Sequence, residues 1–186
     1  YLSLNKAVKF PFIIGKKVKL NIKGKFEIKD YSKKIIIDRK SNINIYGTIV
    51  FKGRVHIGEK SGIYVADKAV LAIGNNLRVT SGLSLNCLKK ITIGDDVLMA
   101  WKCTILDSDF HKIYDYKNNR TNNDKPIIIG DKTWLGNNVI LLKGTSICNN
   151  IVVGAGSIVS GILDIQNAVY AGNPAKPVKY NINWEY

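Results

Sequence analysis

Branched apolar side chains recur at every sixth position through the second half of the chain: Ile129, Leu135, Leu141, Ile147, Val153 and Val159. Glycine directly follows three of them, at Gly130, Gly136 and Gly154. A helix repeats at 3.6 residues and a half-exposed strand at 2, so a period of six predicts short flat strands joined by tight corners and stacked as a solenoid. Glycine suits such corners because, without a Cβ, it accepts positive φ and close backbone approach. The same register runs earlier through Ile93, Met99 and Ile105, through Ile73, Val79 and Leu85, and, with less glycine, through Ile37, Ile43, Ile49 and Val55. It slips by two residues between Leu85 and Ile93 and again near Ala69, which predicts corners of unequal length.

One break is larger. Between Ile105 and Ile129 the register is lost across residues 107–126, a polar stretch holding Asp109, His111, Arg120 and a run of asparagines. Solenoids accept insertions at corners, and the inserted loops tend to lie on the binding face. The pattern therefore predicts a single all-β domain over 1–186, with irregular lysine-rich coils over 1–50, a regular solenoid over 51–170 and a short C-terminal tail over 171–186.

Composition narrows the classes. A chain of 186 residues is long enough to bury one core. No apolar run reaches the length of a membrane span, and the lysine-bearing segment Tyr1 to Leu20 lacks an uninterrupted apolar region with a cleavage site, so a cytoplasmic protein is expected. Three cysteines, Cys87, Cys103 and Cys148, without metal-type spacing predict reduced thiols in the core or at corners. Lys and Arg number 28 against 14 Asp and Glu, a formal charge of +14. The lysines are spread singly and in pairs, with no recognition helix, zinc motif or basic-aromatic box, which argues against nucleic acid as a partner. A solvated surface accounts for many of them; an anionic ligand, an anionic glycan or a membrane surface would also be drawn to that charge.

The sequence carries Asn86-Cys87, then Cys103-Thr-Ile-Leu-Asp-Ser-Asp-Phe-His111, then Pro126-Ile-Ile-Ile-Gly-Asp-Lys-Thr-Trp134-Leu-Gly136, and further on Val153-Gly-Ala-Gly-Ser157 and Ala171-Gly-Asn-Pro-Ala-Lys176. In order and approximate spacing, over roughly residues 57 to 180, these resemble the hexapeptide-repeat acetyltransferases, most closely the sugar O-acetyltransferases of the galactoside and maltose type. The resemblance implies a left-handed parallel β-helix, usually a homotrimer with active sites between subunits. It also implies an acetyl-CoA-dependent transfer of acetyl to a hydroxyl, with no metal. The lysine-rich strand material of residues 1–50 departs from the helical N-terminal segment of those enzymes, which turns the expectation from a small free disaccharide to a polysaccharide, lipooligosaccharide or other surface glycan.

His111 falls where that family keeps its catalytic histidine, and imidazole can take a proton from a sugar hydroxyl as the oxygen attacks a thioester. Asn86 matches the family asparagine that holds the acceptor; as a plain corner residue it would instead stabilise a turn. Asp107 and Asp109 lie close enough in sequence for a carboxylate to touch the imidazole. Asp109 is kept as a candidate, and Asp115 could equally orient His111. Trp134 stands where the family has an aromatic wall beside the cofactor arm, with Gly136, Gly154 and Ala155 as small residues that would let the pantetheine lie close, or would only serve the turns. Lys176 and Lys179 match basic tail positions that could meet the cofactor's phosphates. His56, outside any motif, reads as structural or solvated.

Two other readings stay open: N-acetylation of an amino-sugar nucleotide on the same fold, and a non-catalytic glycan-binding solenoid. A β-helical carbonic anhydrase needs three histidine ligands per zinc, and the chain has two histidines.

Overall fold

The computed structural model describes residues 12–186. Residues 1–11, which fall in the segments read above as leader-free and as irregular coil, lie outside the described residues. The described residues form 23 short strands and no helix. Three sheets of nine, seven and seven strands contain them, and neighbours within a sheet are every third strand in sequence, apart from the final pair. The chain therefore visits three faces in turn, starting with Phe12–Ile14 on the first sheet, Lys19–Ile22 on the second and Lys25–Ile28 on the third. This is a left-handed parallel β-helix.

The sixfold positions all point inward. Ile129, Leu135, Leu141, Ile147, Val153 and Val159 are at most 1% exposed, and the earlier sets from Ile37 to Ile105 are buried with them in one continuous core. Each such side chain contributes roughly 1.5–3 kcal/mol by leaving water. Strands of the same three sheets precede residue 51, so the coils are already present at Phe12.

Register on the first sheet explains why those early coils are hard to see. Ile13 pairs with Ile36, Ile36 with His56, His56 with Arg78, Arg78 with Leu98, Leu98 with Trp134, Trp134 with Val152 and Val152 with Val169. The coils before Leu98 are thus longer than three hexapeptides and unequal to one another, and only those after Trp134 keep close to that length. The long step from Leu98 to Trp134 contains the insertion, which leaves the second sheet after Thr104–Leu106 and rejoins the third at Ile127–Ile129.

The corner between the first and second sheets is a column of left-handed backbone: Lys17, Lys40, Lys60, Gly82, Lys102, Asn138 and Gly156, with φ between 56° and 71°. Each amide from Lys40 to Gly156 donates to the carbonyl of the preceding coil, for example Lys60 N–H to Arg39 at 3.1 Å and Lys102 N–H to Ser81 at 2.9 Å. The corner between the third and first sheets repeats the device with Asn76, Asp96, Lys132, Asn150 and Asn167. Asparagine and glycine tolerate this conformation; a lysine held there costs about 1 kcal/mol.

The C-terminal segment is built rather than trailing. Ala168–Gly172 and Ala175–Lys179 form an antiparallel hairpin at the end of the first sheet. The chain then folds back along that sheet, where Trp184 is 8% exposed and its indole N–H donates to the Lys132 carbonyl at 3.0 Å.

Candidate active site

The insertion is anchored before it begins to wander. The fully buried carboxylate of Asp107 accepts three backbone N–H groups from the preceding coil, Leu88 at 2.7 Å, Lys89 at 2.8 Å and Lys90 at 2.7 Å. That satisfies amides left unpaired where the corner departs from strand pairing. Asp107 is therefore spoken for by backbone and is not a partner of the imidazole. Its own amide points to the Asn86 carbonyl at 3.5 Å, which places the start of the insertion beside the candidate acceptor asparagine.

His111 is presented by a tight turn. Its N–H donates to the Asp109 carbonyl at 2.7 Å, and the central residue, Phe110, has φ +62° and is 52% exposed. A bulky residue at positive φ in a turn this tight is strained. The surrounding groups hold it in place. Asn122, inside the insertion and buried, donates from its amide to the His111 carbonyl at 2.7 Å and to the Asp109 carboxylate at 2.9 Å, and its Oδ1 accepts the Ile113 N–H at 2.7 Å. Lys143, from the next coil, donates its ammonium to the same Asp109 carboxylate and to the Asn122 carbonyl at 3.1 Å. The Lys143 contact, and then the Asn122 amide, hold the Asp109 carboxyl below its usual range. Asp109 thus fixes the turn, while the exposed His111 imidazole has no hydrogen-bond partner among the described residues.

Asp115 does not orient His111. Its carboxylate accepts the N–H groups of Lys117 and Asn119, both at 2.8 Å, and closes the tip of the insertion, where Tyr114 and Arg120 form an isolated bridge. His56 lies on the first sheet, its Nε2 at 2.8 Å from the Asp38 carboxylate and apart from the insertion. Burial pushes the Cys87 thiol up, with the nearby Asp107 charge adding to it, and pushes Cys103 up to about 11, so both are protonated thiols at neutral pH.

The cofactor candidates gather on adjacent coils. Trp134 pairs with Val152 and faces outward at 37% exposure. A Cβ on Gly136 would come within 2.7 Å of the Ala155 nitrogen, so this glycine is required by the stacking of the coils themselves; one on Gly154 would meet the Ala171 Cβ at 3.1 Å. Ala155 is exposed at the same corner. Lys176 and Lys179 lie exposed on the final strand. Nothing in the sequence signals that Trp134 has a cover: the Trp184 ring lies 5.9 Å from it, Tyr186 lies 5.3 Å from Trp184, and the Arg78 guanidinium sits 4.6 Å over Tyr186. Lys143 is equally silent in the sequence, as one lysine among many in an otherwise regular coil. No group of three or more metal-ligating side chains occurs among the described residues, and no helix there is long and apolar enough to cross a membrane.

A parallel β-helix interrupted by a braced, histidine-bearing insertion defines a class, the hexapeptide-repeat O-acetyltransferases, and the chain belongs to that family and is an acyltransferase. It is 34% identical over 148 residues to the WbbJ protein of Escherichia coli K12, named for lipopolysaccharide biosynthesis and O-acetyl transfer, covering 69% of this chain and 74% of that one. It is 31% identical to galactoside O-acetyltransferase of the same organism, over 63% of this chain and 57% of the relative. To the polysialic acid O-acetyltransferase of Neisseria meningitidis it is 46% identical over 96 residues, 51% of this chain and 45% of the other. The chain thus spans only about half the length of the latter two relatives. The crystal structure of the polySia-specific acetyltransferase NeuO superposes with a TM-score of 0.65 at 28% identity, covering 95% of this chain and 89% of that one. No protein-family profile matches the chain.

Proposed function

We propose that the chain transfers an acetyl group from acetyl-CoA to a hydroxyl of a sugar or surface glycan, with His111 as the general base. The observation that carries this reading is the turn at Asp109 to His111. Its backbone and neighbouring carboxylate are occupied by Asn122 and Lys143, while the imidazole is left exposed and without a partner among the described residues. A base held in this way has its orientation set before the acceptor arrives, and a positioned base contributes roughly 10²–10⁴-fold in rate.

Acetyl-CoA, when bound, would supply the acetyl thioester. Trp134 offers an aromatic wall, Gly154 and the exposed Ala155 present small residues on the next coil, and Lys176 and Lys179 present positive charge on the neighbouring hairpin. His111 would take the proton from the attacking hydroxyl and Asn86 would hold that hydroxyl through its side-chain amide. Asp109 acts through the turn, as a positioning residue. The names of the relatives, lipopolysaccharide and polysialic acid among them, support a polymeric acceptor. A cytoplasmic homotrimer with sites shared between subunits, able to meet a membrane surface through its basic charge, completes the reading.

The test offers acetyl-CoA with paired hydroxyl and amine acceptors, both as free sugars and as polysaccharides, and locates the acetyl group by mass spectrometry. Ester on a sugar hydroxyl is expected; an amide product would move the reaction to N-acetylation.

A further inference from the structure

The outer face of the second sheet changes character at the insertion. Past it, the row that runs through Ser84 and Thr104 continues as Ile140 and Ile158. Before it, Asn21, Asn44, Tyr64 and Asn86 stand in line on four successive coils, each paired in register with the next. Beside this row Asn42, Gly62 and Ser84 form a second. The two rows are hydrogen-bonded to each other, Asn44 to Asn42 at 3.1 Å and Asn86 to Ser84 at 3.4 Å. Between them lies a shallow cavity of about 170 Å³ floored by Gly62, where an added Cβ would meet nothing within 4 Å.

The edge of this face is the corner column described above. Along the four coils of the polar strip the left-handed corners are Lys17, Lys40, Lys60 and Gly82, the three lysines all exposed, and Lys102 follows on the next coil. The carboxylate on that edge, Glu59, is paired with Arg39 at 2.5 Å and lies 3.8 Å from Lys60. Lysine gains nothing in backbone conformation over asparagine or glycine at these corners, and each one adds an exposed positive charge beside the strip.

We propose that this strip binds an anionic polysaccharide laid along the solenoid axis and delivers it to His111. Amides and hydroxyls that both donate and accept, at the repeat of about 4.8 Å set by stacked strands, match a chain of sugar hydroxyls. Tyr64, with the Tyr46 ring 5.7 Å away, adds aromatic surface. The lysine column meets the negative charge. The strip runs into Asn86, whose carbonyl adjoins the first residue of the insertion, so a polymer bound here continues into the candidate acceptor position. The inference rests on the proposed reading that the acceptor is a glycan.

Two variants test it, with polysialic acid and neutral dextran as probes and no acetyl-CoA present. Lys17→Asn/Lys40→Asn/Lys60→Asn places a residue that favours the left-handed corner at each position, so its melting temperature should hold or rise. Its affinity for polysialic acid should fall about tenfold at low salt, a gap that closes as salt rises. Gly62→Leu fills the cavity without touching the fold and should weaken binding by a similar factor at every salt concentration. Wild-type protein that binds no polysialic acid, that binds dextran as well, or whose binding survives both changes would overturn the strip. So would a change of oligomeric state in Gly62→Leu, which would make this face a subunit contact. Polymer binding without any acetyl transfer would leave the strip standing and sink the transferase reading instead.

Discussion

Lys143 reaches across the corner to the carboxylate of Asp109, 34 residues earlier in the chain, and so ties the inserted loop to the coil that follows it. The contact is the counterpart of Asp107, which ties the same loop to the coil before it. Between the two anchors the chain makes the strained turn at Phe110 and presents His111. A loop with one anchor would place its histidine over a range of positions; two anchors select one, and the strain at Phe110 is held by the bonds that Asn122 makes on either side of it.

Removing the imidazole should therefore cost rate and little else. His111→Ala leaves every described hydrogen bond of the turn in place, so its melting temperature should match wild type while turnover falls roughly 10²–10⁴-fold. Unchanged turnover would remove His111 from the chemistry.

Lys143→Met tests positioning separately from chemistry. The Asp109 carboxylate loses the strongest of the contacts that lower its pKa, and the loop loses its downstream anchor. Turnover should fall about tenfold with acetyl-CoA binding unchanged, and limited proteolysis should cut the insertion sooner. The sign of the pH effect follows from the depressed folded pKa. The anchoring is fully present above the unfolded value, near 3.9, and is lost as pH falls through the lower folded value. Wild-type loop protection should thus persist at about pH 5 and fade only below about pH 4; loss at higher pH would mean that another group holds the loop.

Asp107→Ala should be the damaging substitution in the insertion. Three backbone N–H groups, at Leu88, Lys89 and Lys90, lose their acceptor in a buried place, at a cost of roughly 3 kcal/mol or more. Thermal melting checks this. A variant as stable as wild type would show that water satisfies those amides.

At the cofactor end, Trp134 and Lys176 should separate by their response to salt. Trp134→Ala removes packing surface and should weaken acetyl-CoA binding at all ionic strengths, whereas Lys176→Ala should weaken it most at low salt. Trp184→Ala uncovers the Trp134 ring and shows by calorimetry whether the C-terminal strap competes with the ligand or completes its wall. A Lys176 effect that ignores salt would place the phosphates elsewhere.

The solenoid was legible because burial is periodic. Ile129 to Val159 repeat at every sixth position since the coils there keep close to three hexapeptides, and the lost register across 107–126 marked the insertion at its true corner. The early coils hid themselves by being longer and uneven. Ile37, Ile57 and Val79 hold equivalent places on the first sheet, yet their spacings in the sequence are not multiples of six. His111, Asn86 and Trp134 could be picked out by motif. Their partners could not, because Lys143 and Trp184 act across long stretches of sequence, at distances that only the stacking of coils sets. Asp107, Asp109 and Asp115 looked alike in the sequence; the fold gives one to backbone amides, one to Lys143 and one to its own turn.

The most direct test of the central claim follows radiolabelled acetyl from acetyl-CoA into polysaccharide acceptors, polysialic acid among them, with wild type and His111→Ala side by side. Label is expected in alkali-labile ester on the glycan with wild type and roughly a hundredfold less, or lower still, with the variant. Equal labelling by both proteins, or no transfer to any sugar hydroxyl by wild type, would contradict it.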